Sequence, residues 1–475
     1  GLGQGALQGN TTGASNTAVG KAALGVNTTG GNNTAVGLSS LDANTTGEEN
    51  TAIGDGSLGA NTTGNKNVAV GARSLLTNTT AANNTAVGYE ALELNTTGHD
   101  NVAVGANSLE ANTTGDDNTS VGKSSSRSNT TGTRNTAVGF FAYASGTTGG
   151  SNTAIGYAAL DANTTASNNT AVGASALSAN TTATNNVGIG SGALASNTTG
   201  GSNTAVGTDA SNNNTSGGDN TAVGKNALFT AGSADHCTAV GHDALAANLG
   251  NENTALGSFA GKQITTGVHN VCLGYLAAGN LTTTSDNCII GHDAADNLVN
   301  GSQNICIGTS TSLSGASGTN QIVMGQAVTG SGNGNFTFGD GTTDSNIAFG
   351  GTTITAPSDI RLKEDIQDQE AGLSFINDLR PVTFRWKKEK DIPSELNAYK
   401  EGSEKRTMND KVNHGFIAQE VKAVIDAHDE IKDGFDLWEE DEADGRQRIG
   451  ASNLETILVK AVQELSIEID EIKNK

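Results

Sequence analysis

The sequence predicts a mainly β fold: a repetitive β-roll or β-solenoid shaft followed by a C-terminal α+β domain that ends in a coiled-coil helix. Three observations carry this. The pentapeptide Asn-Thr-Ala-Val-Gly recurs every seventeen residues, its first position falling on Asn from Asn16 to Asn220 and on Cys237 one period later. A period this strict marks stacked coils, none of which can bury a core alone. All three prolines (Pro357, Pro381, Pro393) and both tryptophans (Trp386, Trp438) lie at or beyond one junction. Beyond that junction the last segment, Asn453–Lys475, places apolar residues at helical spacing.

The repeat consensus is N-T-T-G-x-x-N-T-A-V-G-x-x-A-L-x-x. Each coil is expected to hold two short strands and two turns. Within the pentapeptide, slots two and four share one face of a strand. Slot four is Val19, Val36, Ile53 and Val70, and slot two becomes Val68, Val102 and Val187 in several coils, so this face is expected to line a core. Slot three is small (Ala18, Ala35, Ser120, Gly188, Cys272) and is expected to face outward. There it suits close approach of another subunit at a three-fold axis, or a flat exposed face. Leu24, Leu41, Leu58 and Leu75 supply a second apolar ladder to the same core. Gly20 and its equivalents end each strand at a corner that can require positive φ. The Asn slots are expected to stack into side-chain ladders, which makes the repeated Asn-Thr-Thr a corner motif rather than a glycosylation signal. At ~4.8 Å per coil, the coils from Asn16 to Asn304 span ~80–85 Å.

The boundaries follow from the period. Residues 1–252 form the regular shaft and residues 253–319 less regular coils. Residues 320–357 taper, with Phe336, Phe338 and Phe349 among Gly and Asp, and are expected to be a distal tip or neck. Residues 358–475 are a separate domain. Its segment Lys387–Lys411 is highly charged and is expected to be a mobile loop or arm. Gly415–Asp426 mixes the start of a strand with a helix. Leu454, Leu458, Ala461, Leu465, Ile469 and Ile472 approximate heptads and fit a three-helix coiled coil. Because Gly1 lies inside a repeat, something is expected to precede it.

The formal net charge is −23, the opposite of what a nucleic-acid surface needs. No run of about eighteen apolar residues exists, so no membrane insertion is expected, and no signal peptide is visible. Cys237, Cys272, Cys288 and Cys306 lack Cys-x-x-Cys or His pairing and are expected to be small buried apolar residues. His242 and His292 hold one slot three coils apart, too far to share an ion. Neither a metal nor a cofactor is expected.

The chemistry lies at the junction. Here the chain reads Ser358-Asp359-Ile360-Arg361-Leu362-Lys363, followed by Leu379-Arg380-Pro381-Val382-Thr383-Phe384-Arg385-Trp386 and Gly415-Phe416-Ile417-Ala418-Gln419-Glu420-Val421. In this order and spacing the three strings resemble the C-terminal intramolecular chaperone domain of phage tail fibres and endosialidase tailspikes, and the resemblance covers essentially all of residues 358–475. It implies a trimeric folding clamp that cuts itself off at Pro357–Ser358 after assembly, by a Ser358–Lys363 dyad. The chemistry of such a dyad needs a base for the hydroxyl. Lys363 can serve if burial or positive neighbours such as Arg361 keep its amine neutral. Five residues on one helix set side chains about 140° apart. Ser358 is therefore expected on an extended strand or turn, with Lys363 on a following helix. The shaft is similar to the heads of trimeric autotransporter adhesins and to bacteriophage fibre shafts.

Phe140, Phe141, Tyr143 and Tyr157 cluster in adjacent coils, with Tyr157 one period after Phe140, and form a candidate receptor-binding ladder for sugar rings. Asp116 and Asp117 fall in a variable turn and make a poor hydrolase pair. The resulting expectation is a homotrimeric bacteriophage tail fibre, assembled in the host cytoplasm and acting on the virion outside the cell. Its partners are a host-surface receptor of glycan type and an upstream fibre or baseplate element. No enzymatic activity on an external substrate is expected, and at most one turnover of self-cleavage. The alternatives are a bacterial trimeric surface adhesin, which should carry a membrane-anchoring β-barrel at its end, and a polysaccharide-depolymerising tailspike.

Overall fold

The computed structural model describes the chain apart from residues 356, 357, 359, 395, 397, 432–436, 441–446 and 451–453. It divides into two compact units, Gly1–Pro357 and Ser358–Lys475.

The first unit is a β-solenoid. Eighteen strands, β1 (Thr17–Val19) to β18 (Ile305–Ile307), hold three residues each and pair in parallel, coil on coil. Register follows the repeat: Thr17, Ala18 and Val19 lie opposite Thr34, Ala35 and Val36. Each coil has one strand rather than the two expected. The other side is barred from the β region because two of its residues are left-handed, such as Ala22 (φ 60°) and Leu24 (φ 49°). Coil-to-coil hydrogen bonds continue there regardless, as from Leu24 N–H to the Ser40 carbonyl (3.0 Å). A leucine in this conformation is costly, on the order of 1–2 kcal/mol. The cost is offset by complete burial of Leu24, Leu41, Leu58 and Leu75, each worth roughly 1.5–3 kcal/mol.

The faces of the strand are the reverse of the expectation. Slot three is the core residue: Ala35, Ala52 and Ala69 are fully buried within their own chain, and so are Cys272 and Cys306. Slots two and four face outward, with Val19 and Ile53 each 40 % exposed. The reason is room. Where a coil already holds the leucine and two asparagines, a methyl-sized group fills the space beneath the strand; where the leucine slot shrinks to Ala278 and Ala295, slot three grows to Cys272 and Ile289. Small residues at slot three therefore reflect a thin coil, not a neighbouring subunit.

Two buried asparagine ladders tie the stack. Asn44 Nδ2 donates to Asn27 Oδ1 of the previous coil (2.8 Å) and to the Gly47 carbonyl of its own (3.0 Å). Asn50 N–H donates to Asn33 Oδ1 (2.9 Å), and its Nδ2 to the Gly64 carbonyl of the next coil (2.8 Å). Asn thus acts as donor and acceptor at a corner whose backbone groups would otherwise be unmatched. The corner glycine is required twice over. Gly20 has φ +136°, and a Cβ there would lie 2.2 Å from the Gly37 carbonyl oxygen.

The parallel stack continues through β19 (Ile322–Gly325) and β20 (Asn335–Gly339), then reverses: β21 (Ser345–Ala348) is antiparallel to β20. The turn between them is tied by Asp340, which accepts from the amides and hydroxyls of Thr342 and Thr343 and is held well below the usual carboxylate range by those bonds.

The second unit is α+β. Helix α1 (Leu373–Asp378) is followed by β22 (Val382–Phe384), which pairs antiparallel with β23 (Asn413–Gly415). Helix α2 (Ala418–Ala427) follows, then the pair β24 (Trp438–Glu440) and β25 (Gln447–Ile449), then α3 (Leu454–Lys473). Phe375, Val421, Ile425 and Ile457 join the two sides in one core. Glu464 on α3 accepts the Leu373 N–H (2.7 Å), capping α1, whose own first residues offer no side-chain cap. The charged arm expected over Lys387–Lys411 is closed on itself: Lys388 and Lys390 both pair with Glu404, and a bridge joins Lys388 to Arg406. On α3, Ile457 and Ala461 are buried, whereas Leu458, Leu465, Ile469 and Ile472 are exposed. No helix among the described residues is long and apolar enough to cross a membrane.

Candidate functional site

Ser358 lies outside any helix. A single 3₁₀ turn, Ile360–Leu362, then reverses the chain, and Lys363 N–H bonds the Ile360 carbonyl (3.2 Å). The reversal sets Lys363 Nζ 2.7 Å from Ser358 Oγ. A turn thus achieves what a shared helix face cannot, and Lys363 follows this short turn rather than riding an α-helix. Pro357, on the other side of the expected scissile bond, lies outside the described residues.

Both side chains are exposed. In water an ammonium donates to the hydroxyl. Catalysis needs the reverse, a neutral amine accepting the hydroxyl proton, and that requires loss of water around Lys363. The turn between them is open to water: Ile360 and Leu362 are each 72 % exposed.

Against this geometry, the comparisons are specific to one part of the chain. A family model described as "chaperone of endosialidase" matches residues 358–430. The C-terminal unit therefore carries an endosialidase-type chaperone domain. The match begins at Ser358, where the solenoid unit ends. No curated protein and no solved structure matches the chain.

On the solenoid, Phe140, Phe141 and Tyr157 lie on the surface, and Phe140 stacks on Tyr157 with centroids 5.9 Å apart and planes 17° apart. Tyr143 does not join them. It is 1 % exposed and sits in the leucine slot of its coil. Burial pushes its phenol up to about 12, and Oη donates to the Gly149 carbonyl (3.0 Å). Its place among receptor-binding residues is withdrawn, because a ring in the core cannot meet a ligand.

A second aromatic group links His242 and His292, which share one slot, through Phe259 and Tyr275. His242, Phe259, Tyr275 and His292 form one continuous ladder over four coils, with centroid separations of 5.1, 5.9 and 5.2 Å. Its signal was available: each of these residues follows a corner glycine by one or two positions. Beside it, Asp243 accepts from Asn226 Nδ2 (2.9 Å) and Lys262 Nζ (3.0 Å). Partial burial raises the Asp243 pKa, but these two donors outweigh it and hold the carboxyl below its ordinary value.

Among the described residues, Glu90, Glu93 and Glu110 bring carboxylate oxygens within 4.8 Å of one another. Arg73 pairs with Glu90 and Glu93, Arg127 with Glu110, and Asn107 donates to Glu90 and Glu110. Two arginines and an amide thus already occupy these carboxylates.

Proposed function

We propose that this chain is a homotrimeric bacteriophage tail fibre. Its solenoid shaft attaches to the host surface. Its chaperone domain aligns three chains during folding and then separates by cutting before Ser358. The observation that carries this reading is the meeting of two boundaries: the match to an endosialidase-type chaperone begins at Ser358, the first residue after the compact unit that contains the solenoid.

Two physical features support it. A repeat of identical coils tolerates a shift by one whole coil, because every pairing is recovered in the new register. A device that fixes three chains in common register answers that hazard. The outward slots also leave apolar side chains uncovered along the solenoid, from Val19 (40 % exposed) to Met324 (38 %). Such a stripe on a parallel sheet is the kind of surface that a second and third copy cover.

In this reading assembly also starts the chemistry. Partner chains covering Ile360 and Leu362 exclude water from Lys363, whose neutral amine then takes the Ser358 Oγ proton. Oγ attacks the carbonyl carbon of residue 357. The 357–358 C–N bond breaks, and Lys363 returns the proton to the departing α-amine of Ser358. The resulting ester between residue 357 and Ser358 Oγ is hydrolysed by water, leaving a carboxylate on residue 357 and a free Ser358. The shaft that remains, without its clamp, is held by a barrier to unfolding.

The test is intact-mass analysis of the expressed chain beside Ser358→Ala and Lys363→Met. Wild type should yield a C-terminal piece of about a quarter of the 47.7 kDa chain, starting at Ser358. Both variants should stay whole and still assemble. A wild-type chain that stays whole as an assembled trimer removes self-cleavage from the reading.

A further inference from the structure

The His242–Phe259–Tyr275–His292 ladder has no role in the fold. The corner slot that supplies three of its rings is filled elsewhere by Ala72, Ala106, Ser191 or Thr208, with the same coil geometry. The rings add little to the core: His242, Tyr275 and His292 are exposed and Phe259 is half-buried. Four consecutive coils nevertheless carry a ring at the same corner.

We propose that this ladder is a binding site for an extended, neutral glycan lying along the solenoid axis. The inference deepens the attachment function proposed above and rests on it for the biological setting, though its chemistry stands on the ladder itself. Successive rings advance by one coil, ~4.8 Å, which is close to the length of one pyranose in an extended chain. A sugar presents apolar C–H faces to aromatic rings and hydroxyls to the groups beside them. The hydroxyl partners are present: Asp243 with Asn226 and Lys262 at one end of the ladder, and Asp293, 3.1 Å from His292 Nδ1, at the other. Lys262 also sits 4.8 Å over the Phe259 ring, which joins the polar flank to the ladder. A depression of about 110 Å³ bounded by Asn226, Phe229, Asp243 and Ala246 adjoins them.

Charge selects the class of glycan. The chain carries −23, and the ladder is edged by the carboxylates of Asp243 and Asp293. A polyanionic glycan is repelled there, whereas carboxylates accept hydroxyl protons from a neutral one. The Phe140–Tyr157 stack joins two coils and has Lys123 at 6.0 Å from the Phe140 ring, a smaller platform than the four-ring ladder.

Affinity electrophoresis of the full chain tests this, in native gels containing laminarin, mannan or dextran, with polygalacturonate as the anionic control. Wild type should be retarded by at least one neutral polymer and not by polygalacturonate. Tyr275→Ala should weaken retardation about tenfold, as loss of a central ring contact implies. Tyr275→Phe should keep it, and His242→Ala, at the end of the ladder, should weaken it less. Passage of wild type unretarded through all three neutral gels overturns the site, as does a Tyr275→Ala chain retarded like wild type. The mass experiment on Ser358→Ala is independent. A cleaved chain with no neutral retardation sinks the glycan site alone. An uncleaved chain that is retarded normally sinks the maturation step and leaves the glycan site standing.

Discussion

At the scale of single residues, the solenoid shows how a repeat absorbs a lost member. The asparagine ladder through Asn112 and Asn129 meets Gly146 where the next asparagine belongs. Asn129 Oδ1 is left without a donor, and the same happens to Asn214 Oδ1, whose successor is Ala231. Tyr143 takes over the other half of the missing function. Its hydroxyl bonds the Gly149 carbonyl that an amide at position 146 would have served, and Asn152 Nδ2 donates to it (3.2 Å). The exchange is also steric, because a Cβ at Gly146 would lie 2.3 Å from the Tyr143 ring. Tyr and Gly are therefore one substitution made in two places. Tyr143→Leu removes the hydroxyl's bonds, although the Gly149 carbonyl keeps Asn135 and Asn152 keeps the Ala166 carbonyl, and it opens a void beside Gly146; it should cost about 1–3 kcal/mol. Gly146→Asn alone drives a side chain into the ring and should also cost at least about 1–3 kcal/mol. Together they restore the consensus coil, so the double variant should be close to wild type. A double-mutant cycle from urea midpoints measures this, and additive losses would show that the two positions do not compensate each other.

At the scale of elements, the chaperone domain is held by a histidine shared between two helices. His428, at the C-terminal end of α2, has its side chain only 11 % exposed. Its Nδ1 lies 2.8 Å from Glu430 and its Nε2 3.0 Å from Asp378, the last residue of α1. These two carboxylates, Glu430 first, raise its pKa, while its partner Glu430 is lowered mainly by the same contact. The sign follows. A histidine raised on folding stabilises fully below its unfolded value near 6.5, and the contribution is lost as pH climbs through the folded value. Asp378 is 63 % exposed, so the pair is screened and worth no more than about 1 kcal/mol. Trp386 and Trp438 both lie in this unit, so their fluorescence reports its unfolding without interference from the shaft. The urea midpoint should fall between pH 6 and pH 8.5 in wild type and stay level in His428→Gln. Equal slopes in the two proteins would place the titration elsewhere.

Elements also show what a linear reading can and cannot reach. The period, the asparagine ladders, the glycine corners and the leucine ladder all follow from spacing, because stacking repeats each requirement in every coil. The chaperone strings from Ser358 onward were legible because they are specific. The facing of the strand was not. Alternation says only that Ala18 points opposite to Val19; which side is inside depends on how much Leu24 and the asparagines leave free, a quantity set by the whole coil. The proximity of Ser358 to Lys363 was open for a similar reason, since it depends on one 3₁₀ turn between them.

At the scale of the whole molecule, the reversed strand turns the question of assembly into one about the outward stripe. Cys288 lies in that stripe, in register between Val271 and Ile305, and is half-buried in the single chain. The other three cysteines are internal. Burial pushes the Cys272 and Cys306 thiols up to about 12, and burial likewise raises Cys237, whose Sγ rests 3.2 Å from the Gly250 carbonyl. If the stripe is the contact between copies, Cys288 is shielded in the assembled shaft and open in a dissociated chain, while the other three stay silent in both. Lysine at Val271 and Ile305 provides the dissociated form. On an outward face, two lysines leave the coil's own core untouched, but they bury charge in any contact between copies. The double variant should sediment as a monomer with native shaft structure and label with iodoacetamide at Cys288 alone. Wild type should sediment as a trimer of the shaft with all four thiols protected until denaturation. A variant that unfolds would return the stripe to the interior of the coil. A variant that stays trimeric would move the contact between copies to another face.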